Sequence, residues 1–133
     1  MSITPLESFV ILYHEDMEAA RLFFEGKLGL ELREETYEWF VGYWVSSKHE
    51  MTLCVSSSPD ERARWGAGGK GVVIDFVVAN VDAAYAHLVS QGVEFCEPPT
   101  DMPWGLRTAT FLDPAGYTLS LTSYLPGGKS GYH

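Results

Sequence analysis

An internal repeat constrains the fold of this chain more than any other sequence feature. Residues 9–20 align with residues 73–84, and after a one-residue gap residues 28–32 align with residues 91–95. Each copy runs from an apolar segment through a polar residue and an Ala-Ala pair to a glycine and a second apolar segment. Self-similarity of this kind indicates a structural module that is built twice. The sequence therefore predicts two copies of one supersecondary unit.

Each copy carries the start and stop signals of one helix. Asp16 and Asn80 suit the N-cap, where a side-chain oxygen accepts from a backbone N–H of the first turn. Gly29 and Gly92 suit the left-handed position that follows a helix. Between these signals, apolar residues recur at helical spacing and predict one buried stripe per helix. The stripe residues are Met17, Ala20, Phe24 and Leu28 in the first copy, and Val81, Ala84 and Leu88 in the second.

Three strand-like runs follow each predicted helix. They comprise residues 29–35, 39–46 and 51–56 in the first copy, and residues 93–96, 106–112 and 117–123 in the second. We therefore expect an α+β fold of two βαβββ modules that form curved mixed sheets. One helix would cover one face of each sheet, so pairing the modules should leave a concave cleft around which the sheets curve. Such a cleft is the expected place for a ligand.

The chain length of 133 residues suits a single domain that can bury its own core. We expect this domain to span residues 1–125, with modules at 5–58 and 71–125. The polar, glycine-rich stretch at 59–70 is interpreted as the connection between the modules, and residues 126–133 as a flexible tail.

The charge balance narrows the range of partners. The chain has 18 Asp and Glu against 9 Lys and Arg, and its net charge of -9 argues against a nucleic-acid partner. The acidity either serves solubility or attracts a cationic small ligand. The N-terminal residues lack the features of a signal peptide, and no apolar run approaches the roughly 20 residues of a membrane span. We therefore expect a cytoplasmic protein with no membrane partner, in which Cys54 and Cys96 are reduced thiols.

Several motifs resemble those of one superfamily. They are Asp16-x-Glu-Ala-Ala-x-x-Phe-Phe-x-x-x-Leu-Gly-Leu, Val81-Asp-Ala-Ala followed by Gly92-Val, Trp104-Gly, and Phe111-x-Asp-Pro-x-Gly. Over roughly residues 5–124 the chain resembles the vicinal oxygen chelate superfamily, which includes glyoxalase I, extradiol dioxygenases, fosfomycin-resistance enzymes and bleomycin-resistance proteins. These motifs fix turns and helix starts, so the resemblance implies the fold more strongly than any chemistry.

The resemblance also implies where a metal would bind. Enzymes of this superfamily hold a divalent metal with His or Glu side chains from the first and last strands of each module. Here the corresponding positions carry Phe9, Val73, Cys54 and Ser120, or Thr52 instead of Cys54 if the register differs by two residues. One thiol and one hydroxyl do not form a site rich in oxygen and imidazole ligands. We therefore expect no metal and no other cofactor, with surface or hydrogen-bonding roles for the four histidines.

Strand alternation indicates which side chains would face the predicted cleft. In the first strand these are Phe9, Ile11 and Tyr13, and in the matching strand of the second copy they include Val73 and Asp75. Asp75 either contacts a ligand or is exposed or salt-bridged, because a buried carboxylate without a partner is costly.

Further candidates come from three positions outside those two strands. Trp44 belongs to a strand that carries large rings on both faces, and Trp104 precedes the seventh strand, where it could border the cleft or serve a core or interface. Arg107 either lies on the surface or pairs with Asp75 or with an anionic ligand group. The candidate ligand-binding residues are Phe9, Ile11, Tyr13, Trp44, Cys54, Val73, Asp75, Trp104, Arg107 and Ser120.

Three functions are compatible with these residues. The first is a homodimeric, metal-independent binding protein similar to the bleomycin-resistance proteins, which sequesters a planar or cationic small molecule by stacking on rings such as Phe9 and Tyr13. The second is a metal-independent isomerase, cyclase or lyase that uses Asp75 or Cys54. The third is a lyase or dioxygenase with a metal site in divergent positions.

Overall fold

The computed structural model describes residues 3–49, 51–69 and 71–126. The chain divides into two compact units, Met1–Gly68 and Gly69–His133. Each unit contains one four-stranded mixed sheet and at least one helix. The prediction of a two-module α+β fold is therefore confirmed.

Across the described residues of the first unit, four strands and one helix follow the order expected from the repeat, and a second helix is added after them. The elements are β1 (Phe9–Tyr13), α1 (Met17–Arg21) with a π-helical continuation (Leu22–Lys27), β2 (Glu31–Tyr37), β3 (Phe40–Trp44), β4 (Thr52–Ser56) and α2 (Pro59–Trp65). The sheet order is β1-β4-β3-β2, with β1 parallel to β4 and the other pairs antiparallel.

The second unit repeats this plan. Its elements are β5 (Val73–Val77), α3 (Val81–Ser90), β6 (Phe95–Asp101), β7 (Leu106–Leu112) and β8 (Thr118–Tyr124). The sheet order is β5-β8-β7-β6, with only the β5–β8 pair parallel. Both β2 and β6 contain two register shifts against the neighbouring strand, so the repeat extends to the irregularities of the sheets.

The predicted helix boundaries match the structure. Asp16 accepts a hydrogen bond from the backbone N–H of Ala19, and Asn80 accepts one from that of Ala83, each at 3.0 Å. Gly29 has a φ of 70° after the first helix. Only glycine adopts this left-handed conformation at little cost, which explains why the chain leaves the helix there.

The stretch at 59–70 contains a helix that the sequence analysis did not predict. Ser58 caps α2 by accepting from the backbone N–H of Glu61 at 3.4 Å, and Pro59 occupies the first turn, where its missing N–H costs nothing. Gly66 follows the helix with a φ of 84°. None of the residues of α2 is buried, so its helical pattern lacks the apolar stripe that usually reveals a helix.

Each sheet is packed against its helix on one face. In the first unit the ring of Phe24 contacts that of Tyr43 at a centroid distance of 5.8 Å, and both side chains are fully buried. Alternation places Leu12, Val41, Leu53 and Val55 on this same face. Because these side chains are buried, this face holds the core of the unit. Burial of each large apolar side chain contributes roughly 1.5–3 kcal/mol to the free energy of folding.

The opposite faces of the two sheets carry a mixture of polar and apolar side chains. On the face opposite α1 lie Phe9, Ile11, Tyr13, Phe40, Gly42, Trp44, Thr52, Cys54 and Ser56. On the face opposite α3 lie Val73, Asp75, Val77, Thr108, Thr110, Ser120 and Thr122. The predicted alternation of the first and fifth strands is therefore confirmed. Of the helices in the described ranges, none has the length and apolar character that crossing a bilayer requires.

Candidate functional site

A groove lies beside the face opposite α1, within the first unit, and it has a volume of about 360 Å³. Its walls come from β1, β2, β3 and α2 and from the short turn between β2 and β3. The described residues that line it are Ile11, Glu34, Thr36, Tyr37, Trp39, Phe40 and Glu61. The groove therefore combines aromatic rings with two carboxylates, and it is large enough for a small organic molecule.

The aromatic wall of the groove is formed by the β2–β3 hairpin. The rings of Tyr37 and Trp39 stack at 4.9 Å with an interplanar angle of 11°, and the Trp39 ring meets that of Phe40 edge-on at 6.0 Å. Tyr37 is 55% exposed and Trp39 is 41% exposed. These rings hold one another in place while their outer surfaces stay accessible to a ligand.

Irregular pairing of β2 positions the carboxylate of Glu34. The register shifts on both sides of this residue, and bulges of this kind redirect side chains. Glu34 lies opposite Gly42, where an added Cβ would come within 3.2 Å of the Cγ and Oε1 atoms of Glu34. The absence of a side chain at Gly42 therefore lets the Glu34 side chain lie across β3. Arg33 donates from Nη1 to Glu34 Oε1 at 2.9 Å.

The second carboxylate of the groove comes from α2. The hydroxyl of Tyr13 donates to Glu61 Oε2 at 3.1 Å and so orients this carboxylate. Tyr13, which the sequence analysis chose as a ligand-binding residue, thus acts on the groove through Glu61. Glu61 belongs to the stretch at 59–70 that was interpreted from the sequence as a connection, and the structure places it in the lining of the groove.

Cys54 is buried beneath this region and is 1% exposed. Burial, together with a smaller contribution from the nearby Glu34 carboxylate, raises the pKa of its thiol to about 11, and Arg33 partly offsets these two effects. A thiol with such a pKa stays protonated at neutral pH, whereas nucleophilic cysteines need a lowered pKa. The geometry therefore gives no support to Cys54 as a nucleophile.

The positions that correspond to the metal ligands of the superfamily do not fit a metal. Phe9 lies opposite Thr52 and Val73 lies opposite Thr118, so neither pair supplies an imidazole or a carboxylate. Within residues 3–49, 51–69 and 71–126, no three His, Cys, Asp or Glu side chains are grouped as a metal site. His14 is buried against the Phe24 ring on the face toward α1, away from the groove. The donor set thus differs from that of a divalent metal centre.

Asp75 forms a compact polar cluster in the second unit. Ser120 donates to its Oδ1 at 2.6 Å, and the Thr122 hydroxyl lies 2.7 Å from Oδ1 and 2.9 Å from Oδ2. Both hydroxyl residues are buried, while Val73 and Val77 on either side of Asp75 are more than half exposed. Asp75 is itself exposed, and among the described residues its carboxylate accepts hydrogen bonds from neutral donors.

Arg107 does not pair with Asp75, which was one of the alternatives that the sequence left open, and it forms ion pairs with two other carboxylates instead. It shares its face of β7 with Ala109 and Phe111, which pack toward α3. Its guanidinium forms a bidentate pair with Asp82 at 2.9 and 3.0 Å and contacts Asp101 at 2.7 Å. Strand alternation thus separates Arg107 from Asp75, and a role in ligand binding has no support from this geometry.

Three of the four aromatic rings chosen from the sequence lie outside the lining of the groove. Phe9 is 48% exposed, and Trp104 is 65% exposed in the loop between β6 and β7. Trp44 stacks on His49 at 4.9 Å and contacts the Arg33 guanidinium at 5.1 Å. Among the candidates from the sequence, Ile11 lines the groove directly and Tyr13 contacts one of its carboxylates.

Sequence reasoning missed most of the groove for two reasons. Glu34, Thr36 and Tyr37 belong to a strand whose bulges break the period of two, so alternation did not reveal their common environment. Glu61 belongs to a helix that was taken for a connection. The run Ser58-Pro-Asp-Glu, a helix-start signal, was the available clue.

Comparison with known proteins identifies relatives of this fold. The model of the Glyoxalase/Bleomycin resistance protein/Dioxygenase superfamily matches residues 7–121. A glyoxalase/bleomycin resistance protein/dioxygenase from Nocardioides is 26% identical, with a TM-score of 0.78 over 98% of this chain and 91% of that one. A superfamily member from Sphaerobacter thermophilus is also 26% identical, with a TM-score of 0.71 over 92% and 99%.

A third structure extends the likeness of the fold alone. A protein of unknown function from Agrobacterium tumefaciens is 22% identical, with a TM-score of 0.71 over 94% of this chain and 97% of that one. No functionally curated protein matches the sequence.

Proposed function

Because the chain belongs to the Glyoxalase/Bleomycin resistance protein/Dioxygenase superfamily, we propose that it is a metal-independent small-molecule binding protein of that fold. It would sequester a planar or cationic organic ligand in the groove of the first unit. The observation that carries this proposal is the wall of Tyr37, Trp39 and Phe40 beside the carboxylates of Glu34 and Glu61.

The chemistry of the groove favours flat ligands with delocalised positive charge. An aromatic face attracts a cation through its quadrupole, with a contribution of about 0.5–1 kcal/mol at an exposed site. Stacked rings also offer a large apolar surface at low entropic cost. The net charge of -9 adds a long-range attraction for cations.

A titration with a defined probe tests the proposal. N-methylquinolinium, a flat two-ring organic cation, should bind saturably at one site per chain, as measured by isothermal titration calorimetry. Its dissociation constant should be the same before and after dialysis of the protein against EDTA. Loss of binding after chelation would contradict metal independence, and a titration without saturation would contradict the groove as a site for flat cations.

A metal-independent enzyme is the second candidate, and the Asp75 cluster favours it. Ser120 and Thr122 hold the Asp75 carboxylate in a fixed orientation, as a proton-transfer group requires. Chemical change of a bound compound, detected by mass spectrometry of the recovered ligand, distinguishes this function from sequestration. The homodimer expected from the sequence stays a prediction alongside both functions.

A further inference from the structure

We infer that the Glu61 carboxylate selects ligands by their charge, so that the groove prefers flat organic molecules with a single positive charge. This inference rests on the proposed function and deepens it, because it assigns charge recognition to one carboxylate of the groove. It follows from the different partners of the two groove carboxylates and from the position of Glu61 in α2.

The charge of Glu34 is already compensated within the protein. Arg33 Nη1 lies 2.9 Å from Glu34 Oε1, which makes an ion pair between adjacent residues of β2. A ligand cation at Glu34 would compete with this guanidinium. Glu34 therefore contributes shape and polarity to the groove more than net charge.

Glu61 has no such counter-ion among the described residues. Its carboxylate accepts from the Tyr13 hydroxyl at 3.1 Å, and that donor is neutral. The neighbouring Arg62 is directed to Glu15, with 3.9 Å between its Nη1 atom and the Glu15 carboxylate. None of the described residues that line the groove is basic. A bound cation would therefore act as the counter-ion of the Glu61 carboxylate.

In addition, the Glu61 side chain does not cap the N-terminus of α2, although it occupies the position of a capping glutamate. Ser58 is the N-cap of α2 and Glu61 is the third helical residue, which is the spacing of a capping box. In a capping box the glutamate accepts from the backbone N–H of the N-cap residue. Here that N–H of Ser58 donates to Ser56 Oγ at 3.3 Å instead. The Glu61 carboxylate is thus available to the groove, where Tyr13 holds it.

Asp60 provides a matched control because it precedes Glu61 in the same turn. It is exposed and does not line the groove. The substitutions Glu61→Gln and Asp60→Asn each remove one negative charge from the first turn of α2. Their effects on the helix dipole and on the net charge of the protein are therefore the same, whereas their effects on the groove differ.

The test compares two probes of the same shape, N-methylquinolinium and the uncharged 1-methylnaphthalene, by equilibrium dialysis. Wild-type protein should bind the cation more tightly than the neutral compound. Glu61→Gln should raise the dissociation constant of N-methylquinolinium by about fivefold, which corresponds to a partly exposed ion pair, and should leave that of 1-methylnaphthalene unchanged. Asp60→Asn should change neither constant appreciably.

Four outcomes would overturn the inference. If Glu61→Gln weakens the binding of both probes equally, this side chain shapes the groove and does not recognise charge. If Glu61→Gln and Asp60→Asn weaken the binding of the cation equally, the attraction comes from the overall negative charge of the protein. Equal binding of both probes to wild-type protein, with no effect of Glu61→Gln, would remove charge selection while leaving the proposed function intact. Failure of both probes to bind wild-type protein would remove the proposed function together with this inference.

Discussion

Replacement of Trp39 by alanine is the sharpest test of where a ligand binds. The ring of Trp39 stacks on Tyr37 at 4.9 Å and meets Phe40 edge-on at 6.0 Å, so it stands at the centre of the aromatic wall. It is 41% exposed, which leaves one part of the ring packed and another part free for a ligand. Trp39→Ala should therefore remove a stacking surface from the groove without opening the core.

The magnitude follows from the energy of one aromatic contact. A well-placed ring pair contributes about 1 kcal/mol beyond its buried area, and a loss of that size raises a dissociation constant about fivefold. The free energy of unfolding should fall by a similar amount, about 1 kcal/mol, because the stack with Tyr37 is lost as well. A folded variant with weakened binding is thus expected.

Phe9→Ala is the matched control, since Phe9 is also a half-exposed ring on the face opposite α1. From the sequence, stacking was expected on rings such as Phe9 and Tyr13, but the Phe9 ring does not line the groove. Isothermal titration with N-methylquinolinium should show weakened binding for Trp39→Ala and nearly unchanged binding for Phe9→Ala. A larger effect of Phe9→Ala would refute the location of the site and restore the interpretation from the sequence.

The remaining predictions concern the buried thiol and the polar network beside the core. Because burial raises the pKa of Cys54 to about 11, iodoacetamide at pH 7.5 should modify the exposed Cys96 much faster, as followed by mass spectrometry; equal rates would contradict the burial. Tyr43→Phe should lower the free energy of unfolding by about 1.5 kcal/mol in urea titrations, because it removes the 2.7 Å hydrogen bond to Glu25. Hydrogen bonds from Arg21 and then Tyr43 lower the pKa of Glu25, so its contribution to stability is present above the ordinary carboxyl pKa and lost as the pH falls through the lowered value. Glu25→Gln should flatten this acid dependence, and an unchanged slope would contradict it.

Local signals in the sequence predicted much of the fold because each acts over a few residues. Asp16 and Asn80 were recognisable as N-caps from their own chemistry, and both accept the expected hydrogen bonds. Gly29 was recognisable as the residue after a helix because a φ of 70° is costly for any other residue type. The face of Ile11 followed from the period of two in a regular strand.

The candidate site depended on relations that no single segment contains. Glu34 faces the groove because β2 is bulged against β3, and these bulges cannot be predicted from the alternation of residues within β2. Arg107 faces α3 because of its register in β7, so the structure excludes the pairing with Asp75 in β5 that the sequence had left open. The partner of a cationic side chain on one strand can be identified only when the register of that strand against its neighbours is known.

The sequence by itself determined the repeated module, the boundaries of the two repeated helices and the absence of metal-type donors at the positions of Phe9 and Val73. Each of these depends on residue type and spacing along one segment. Only the tertiary structure decided that Glu61 accepts a hydrogen bond from Tyr13 across 48 positions of the chain and lines the same groove as Trp39. The physical reason is that ligand recognition depends on distances of a few ångströms between side chains from separate elements, and packing of those elements sets such distances.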